Sequence, residues 1–95
     1  MMNEFEIGRY VLAIAGHDAG KIYVIFRMDT EYVYLVDGRI RTMDRPKKKK
    51  KIHIRVFSEF DPSLADQVKK QTVKNEEIKR AIKLVQHGNS SKEVE

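Results

Sequence analysis

The sequence predicts a mainly β fold: a small, strongly bent barrel of about five antiparallel strands, followed by a C-terminal α-helical segment. Three observations carry this expectation. Between Tyr10 and Val56, apolar side chains recur at every second position in short runs, the period of a pleated strand and not of a helix. Turn-forming residues separate these runs, and no connection is long enough to hold the crossover helix that parallel pairing requires. After Phe60 the spacing changes to three and four, between residues that start and stop helices.

Asn3 to Ile7 reads as an extended lead-in with Phe5 and Ile7 on one side, and Gly8 punctuates its end. In the first strand Tyr10, Leu12 and Ile14 alternate with Val11, Ala13 and Ala15. A loop with a glycine at each end follows, Gly16-His17-Asp18-Ala19-Gly20, in which Asp18 is placed to bond nearby amides. The second strand alternates Ile22, Val24 and Phe26 with Tyr23 and Ile25, and ends near Met28, where Asp29-Thr30 supplies turn chemistry. Tyr32 to Val36, rich in β-branched and aromatic residues, forms the third strand and stops at the hairpin signal Asp37-Gly38. Arg39 to Met43 reads as a fourth strand with a basic face, ended by Pro46. Lys47 to Lys51 places five like charges in a row, a loop until something neutralises it. Ile52, Ile54 and Val56, alternating with His53 and Arg55, make the closing strand.

Asp61 and Pro62 are an N-cap and a first-turn proline, and Leu64 and Val68 stand one helical turn apart. A second helix spans Asn75 to Gln86, with Asn75 as cap, Glu76 and Glu77 at the positive end and Gly88 as the stop. Its stripe of Ile78, Ala81, Ile82 and Val85 calls for a surface on the barrel or on a partner. The chain thus divides into a barrel over 1–60, a helical extension over 61–88 and a flexible tail over 89–95. Strands this short and turns this tight point to a barrel of SH3-like type.

A chain of 95 residues is one small domain, and its 41% apolar content supports a modest core. It has no cysteine, so neither disulfides nor thiolate metal sites contribute, which suits a reducing compartment. Met1 to Ile7 carries Glu4 and Glu6 and no basic leader, and no stretch approaches the ~18 apolar residues of a membrane span. The expectation is a soluble cytoplasmic protein. Charge is uneven: residues 1–36 hold three Lys/Arg against five Asp/Glu (−2), 37–55 hold nine against two (+7), and 56–95 hold seven against seven (0). Such asymmetry points to a polyanionic partner.

The glycine loop falls short of a nucleotide-binding P-loop: only three residues separate Gly16 from Gly20, Ile22 stands where a hydroxyl residue belongs, and a strand follows. The histidines lie in unrelated segments and no serine has an evident base, so neither a catalytic constellation nor a metal or cofactor pattern emerges. The expectation is a non-catalytic protein with no small-molecule substrate. Arg39, Arg41, Arg45, Lys47, Lys48, Lys49, Lys50, Lys51 and Arg55 place nine cations within seventeen positions. Lysine meets phosphate as a point charge, whereas arginine can fork onto phosphate or stack on bases. The run alone does not separate RNA from DNA or anionic lipid, but it lacks the apolar face that membrane insertion needs. Tyr10, Tyr23, Tyr32 and Tyr34 could include base-stacking platforms, but most fit the rim of a small core and none is named as a site.

Gly8-Arg9-x-Val11, then Gly16-x-Asp18-x-Gly20-Lys21 and the apolar strand Tyr23–Phe26, resembles a KOW motif; Val36-Asp37-Gly38 and the basic run before Ile52-His53-Ile54 extend the likeness. Over about residues 8–55, half its length, the chain resembles the KOW-bearing ribosomal proteins of the archaeal and eukaryotic large subunit and their bacterial relatives. Transcription elongation factors similar to the bacterial antitermination protein also carry KOW motifs, but there the loop more often reads Gly-Pro-Phe-x-Gly. Residues 57–95 match neither group. The resemblance implies an SH3-like barrel binding RNA, ribosomal RNA foremost, with ribosomal proteins as possible neighbours. Arg9, His17 and Lys21 would then flank the loop contact, and Arg39 to Arg55, with His53 among them, would form the phosphate-binding face. Two other readings remain open at this point: a protein-interaction module using the helix stripe or a barrel groove, and a KOW domain associated with transcription elongation.

Overall fold

The computed structural model describes residues 5–94, with side chains as far as Gln86. Five strands form one antiparallel sheet: β1 (Tyr10–Ala13), β2 (Ile22–Met28), β3 (Tyr32–Val36), β4 (Lys47–Lys50) and β5 (Ile54–Val56), in the spatial order β4-β3-β2-β1-β5. Two helices follow, α1 (Pro62–Lys69) and α2 (Asn75–Val94). The edges carry no β4–β5 ladder, so the sheet is not a closed barrel.

The sheet is nevertheless curled by its own connectivity. β4 and β5 occupy opposite edges, yet only Lys51–His53, wound as a 3₁₀ turn, separates them in the chain. Four strand spacings on a flat sheet would span about 19 Å, whereas four residue steps reach about 14 Å even when fully extended. The two edges are therefore drawn together. A break in register between Ile25 and Arg27, where β2 pairs with β3, adds local bend.

Both faces of the sheet are buried by period-2 alternation. Val11, Ala13, Tyr23, Ile25, Val33, Leu35 and Ile54 form one cluster, joining strands that are not neighbours and so filling the inside of the curl. Tyr10, Val24 and Val36 point the other way and meet Leu64, Val68, Val73, Ile78, Ile82 and Val85 from the helical segment. Phe5 and Ile7 of the lead-in pack on these cores; Asn3 lies outside the described residues. The α2 stripe thus covers the sheet rather than waiting for a partner. The Asp61 carboxylate accepts from the amides of Ser63 (3.0 Å) and Leu64 (3.3 Å), the cap expected beside Pro62.

Five expectations are corrected. Arg39–Met43 is not a strand: the Asp37 carboxylate accepts from the amides of Arg39 (2.8 Å) and Arg41 (2.9 Å), capturing the groups a ladder would need. Ile40, the apolar residue between the two arginines, is 71% exposed. Lys47–Lys50 is strand β4 and not a loop, paired with Leu35 to Tyr32, and the closing strand keeps only Ile54–Val56 because Lys51–His53 forms the edge-to-edge turn. At the start of α2, Asn75 does not cap the helix; its side chain accepts from the Met43 amide at 3.0 Å, while the Glu77 carboxylate accepts from the Lys74 amide at 2.8 Å. α2 also continues past Gly88 to Val94, through most of the expected tail. A lone glycine costs a helix only about 1 kcal/mol, and no proline follows to stop it.

Gly38, in the turn after β3, lies against the first turns of α2. It adopts φ +78°, and a Cβ there would collide with the backbone of Asn75 and Lys79. Gly38→Ala should therefore lower unfolding stability by about 2–4 kcal/mol, combining left-handed backbone strain with an overlap between backbones. Urea denaturation followed by circular dichroism measures this, and a decrease below about 1 kcal/mol would mean that α2 shifts aside at little cost.

Candidate nucleic-acid interface

The pleat solves the problem posed by consecutive lysines. Residues directly opposite in an antiparallel pair share a face, and β4 pairs Tyr32 with Lys50, Val33 with Lys49, Tyr34 with Lys48 and Leu35 with Lys47. Lys47 and Lys49 therefore turn to the inner side with Val33 and Leu35. Lys48 and Lys50 turn outward with the two tyrosines, so like charges alternate between environments instead of accumulating on one.

The inward pair meets the glycine loop. The Lys47 Nζ lies 2.9 Å and the Lys49 Nζ 3.6 Å from Asp18 Oδ2, and Lys49 also donates to the Ala15 carbonyl at 3.1 Å. Asp18 sits in a 3₁₀ turn (Gly16–Asp18), with its side chain only 14% exposed. Its carboxylate serves the lysine strand; the local amide of Lys21 is satisfied by the Asp18 main-chain carbonyl instead, at 2.9 Å. The Lys47 hydrogen bond holds the Asp18 carboxyl below its ordinary range against the opposing effect of burial, with charge from Lys47, the Tyr23 hydroxyl and Lys49 adding to it. Burial pushes the Tyr23 hydroxyl up to about 12, and the neighbouring Asp18 carboxylate reinforces this.

The outward pair belongs to a basic and aromatic surface. Arg27 is opposite Tyr34 across β2–β3, and Tyr34 is opposite Lys48 across β3–β4, so the three form one row over the sheet. Lys48 Nζ stands 4.3 Å from the centre of the Tyr32 ring, a cation–π contact. Asp29 closes the adjoining hairpin: Oδ1 accepts from the amides of Tyr32 (2.8 Å) and Glu31 (3.1 Å), and Oδ2 from the Tyr34 hydroxyl (3.4 Å). The Tyr32 amide is the main reason its carboxyl lies below the ordinary range.

The sequence-predicted contacts divide accordingly. Lys48, Lys50, His17, Lys21, Arg39, Arg45 and Arg55 are exposed, whereas Arg41, Lys51 and His53 are half-buried. Lys51 Nζ stands 5.5 Å from the Phe5 ring centre, and the His53 carbonyl accepts from the Ile14 amide. Arg9 is engaged inside the fold: a guanidinium N–H donates to the Phe57 carbonyl at 3.1 Å and the group lies 4.6 Å from the Phe60 ring centre. Lys47 and Lys49 are bound to the loop as described. Three residues are not singled out by sequence alone. Tyr32 and Tyr34 lie outside both apolar clusters, unlike the buried Tyr10 and Tyr23, and Arg27 joins them. For the tyrosines the signal is the phase of the alternation in β3, which becomes interpretable once β4 is known to be a strand, whereas Arg27 shares the parity of the inward Ile25 and joins the outer row through the register break in β2.

No protein-family model matches the chain, and no curated protein matches it. Among the described residues, no helix is long and apolar enough to cross a membrane.

The Asp18 cluster has a defined pH signature. A carboxyl whose folded pKa lies below its ordinary 3.8 contributes stability above that value and loses it as the pH falls through the depressed one. Asp18→Asn should therefore cost about 1.5–3 kcal/mol at neutral pH, the range for hydrogen bonds to charged groups. The gap from the native chain should narrow as the pH drops below 3.8. Parallel urea titrations across this range provide the measurement, and a gap that stays constant into acid would rule out the carboxylate charge as its source.

Proposed function

We propose that this protein is a non-catalytic RNA-binding protein of the ribosomal KOW type, acting on or near the ribosome, and that its curled sheet is an SH3-like barrel. The observation that carries the reading is the outward face of β3–β4, where Tyr32, Tyr34, Lys48 and Lys50 share one surface with Arg27. Lysine and arginine neutralise phosphates while aromatic rings offer stacking surfaces, and the two together on an open sheet suit a nucleic acid better than either alone. The route of the chain from one sheet edge to the other through a single 3₁₀ turn supports the SH3-like assignment. The glycine-bounded loop supports the KOW reading, with His17 and Lys21 exposed on it. RNA docking here is mainly electrostatic, through shape and backbone, with little reading of base sequence.

A protein-interaction reading has one observation in its favour. Phe60 and Leu84, 38% and 66% exposed, line a shallow cavity of about 350 Å³ between α2 and the 59–62 segment. The α2 stripe itself is occupied by the sheet. Copurification separates the readings: a protein-mediated association survives nuclease treatment and fails in Leu84→Asp, whereas an RNA-mediated one is released by nuclease.

The two lysine pairs of β4 give the sharper test. Lys48→Gln/Lys50→Gln should weaken binding to ribosomal RNA and reduce the magnitude of the log–log salt slope by about 2, roughly one for each phosphate no longer neutralised, with only the small drop in thermal midpoint that loss of the Lys48–Tyr32 contact brings. Lys47→Gln/Lys49→Gln should instead lower the thermal midpoint. Filter binding across a salt series with thermal melts covers both, and an RNA affinity and slope indifferent to Lys48 and Lys50 would defeat the proposal. Salt-sensitive cosedimentation with the large ribosomal subunit on a sucrose gradient tests the ribosomal assignment separately.

A further inference from the structure

A cavity also opens away from the lysine strand. It occupies about 600 Å³ between the start of β2, the 37–40 turn and α2. Lys21 and Arg39, two exposed cations expected to contact RNA, line it together with Lys79 and Lys83 of α2, to which the sequence alone assigns no role. One carboxylate, Asp37, is also present, and its Oδ1 already accepts from the amides of Arg39 and Arg41. Lys79 has a loose surface partner in Glu76 at 3.6 Å, and both side chains are well exposed. Exposed i,i+3 pairs of this kind restrain a charge only weakly.

Four cations and one occupied carboxylate leave a net positive cavity, although like charges repel across the groove and between Lys79 and Lys83, one helical turn apart. Solvation of the side chains alone gives no reason for them to converge. Nor does stability, since the fold already buries Ile78, Ile82 and Val85 without them. An anionic chain supplies the missing counter-charge. Ile40, 71% exposed on the same wall, offers an apolar surface beside the cations, as a nucleotide with a charged phosphate and a less polar base or ribose edge requires.

We infer that this groove is a second RNA contact, in which a phosphodiester segment runs between the Gly16–Gly20 loop and α2 and is held by Lys21, Arg39, Lys79 and Lys83. The inference rests on the RNA-binding reading and assigns the C-terminal helix a place in it. The loop then lies between two positive regions: β4 on its Asp18 side and the α2 groove on its Lys21 side.

The test uses the full chain, end-labelled fragmented ribosomal RNA, and three double lysine variants. Lys79→Gln/Lys83→Gln should weaken binding and lower the magnitude of the salt slope by about 2. Lys69→Gln/Lys70→Gln removes the same charge from the C-terminal end of α1, outside the groove, and should leave the slope unchanged. Lys48→Gln/Lys50→Gln monitors the β4 face. Acetylation footprinting of the native chain with and without RNA adds a readout that needs no variant, and Lys79 and Lys83 should be protected. If the β4 variant loses affinity while the α2 variant binds normally and its lysines stay reactive, the groove inference fails and the RNA reading stands. An α1 variant weakened as much as the α2 variant reduces the effect to general charge and also overturns the groove. Failure of the native chain to bind RNA overturns both.

Discussion

A three-residue link between opposite edges of a five-stranded sheet is the constraint on which the rest of the structure depends. Lys51–His53 cannot bridge a flat sheet, so the sheet curls, and curling brings edge strand β4 against the loop between β1 and β2. That approach places Asp18 within reach of Lys47 and Lys49. The ion pairs are a consequence of the topology and also reinforce it, since they fasten the β4 edge to a loop two strands away in the sheet. With alternate lysines tied inward, the pleat directs Lys48 and Lys50 outward. One run of identical residues thus acquires two different roles through backbone geometry alone.

A competing explanation of a lysine edge strand is protection. Unpaired strand edges recruit other strands, and charged side chains, lysine above all, deter this. β4 is an edge, so the argument applies to it. Deterrence needs only charge along the edge, however. It does not call for two half-exposed tyrosines on the same face, nor for Arg27 extending the row onto β2. Those residues lie on the face that α1 and α2 cover elsewhere, through Val24 and Val36. The helical segment stops short of this corner, and the uncovered part is where aromatic and basic side chains collect. Edge protection and the proposed RNA contact are compatible, and the proposal would account for more of the surface.

Much of the fold was legible because alternation is a local property. β1, β2, β3 and the apolar stripe of α2 follow from the spacing of Val11, Val24, Val33, Ile78 and their neighbours, and the cap at Asp61 from residue type. What the sequence left illegible depends on side-chain partners, several of them distant along the chain. Lys47–Lys50 reads as a loop when its charges are counted alone, and becomes a strand when Asp18, about thirty residues earlier, and the β3 ladder are supplied. Arg39–Met43 reads as a strand by alternation, but the Asp37 side chain takes its amides and Asn75 takes that of Met43. Arg9 belongs to the expected RNA contacts on the strength of its motif, yet Phe57 and Phe60, nearly fifty residues away, engage its guanidinium. Basic residues are easy to count, but which of them remain free is set by tertiary structure.

The same distinction governs how charge should be read in the C-terminal segment. Residues 56–95 balance seven cations against seven anions, and on that sum the segment has no attraction for a polyanion. Along α2 the charges are nevertheless unevenly placed, even with Glu76 3.6 Å from Lys79. Glu76 and Glu77 occupy the first turn of α2, where they suit the positive end of the helix, and the Glu77 carboxylate accepts from the Lys74 amide. Lys79 and Lys83 lie further along the helix and line the groove opposite Lys21 and Arg39. Local field depends on which charges face one volume, at separations short against the roughly 8–10 Å over which salt screens them. A segment neutral in sum therefore contributes a positive wall, and the contact at Gly38 that seats α2 on the sheet is what brings that wall to the loop.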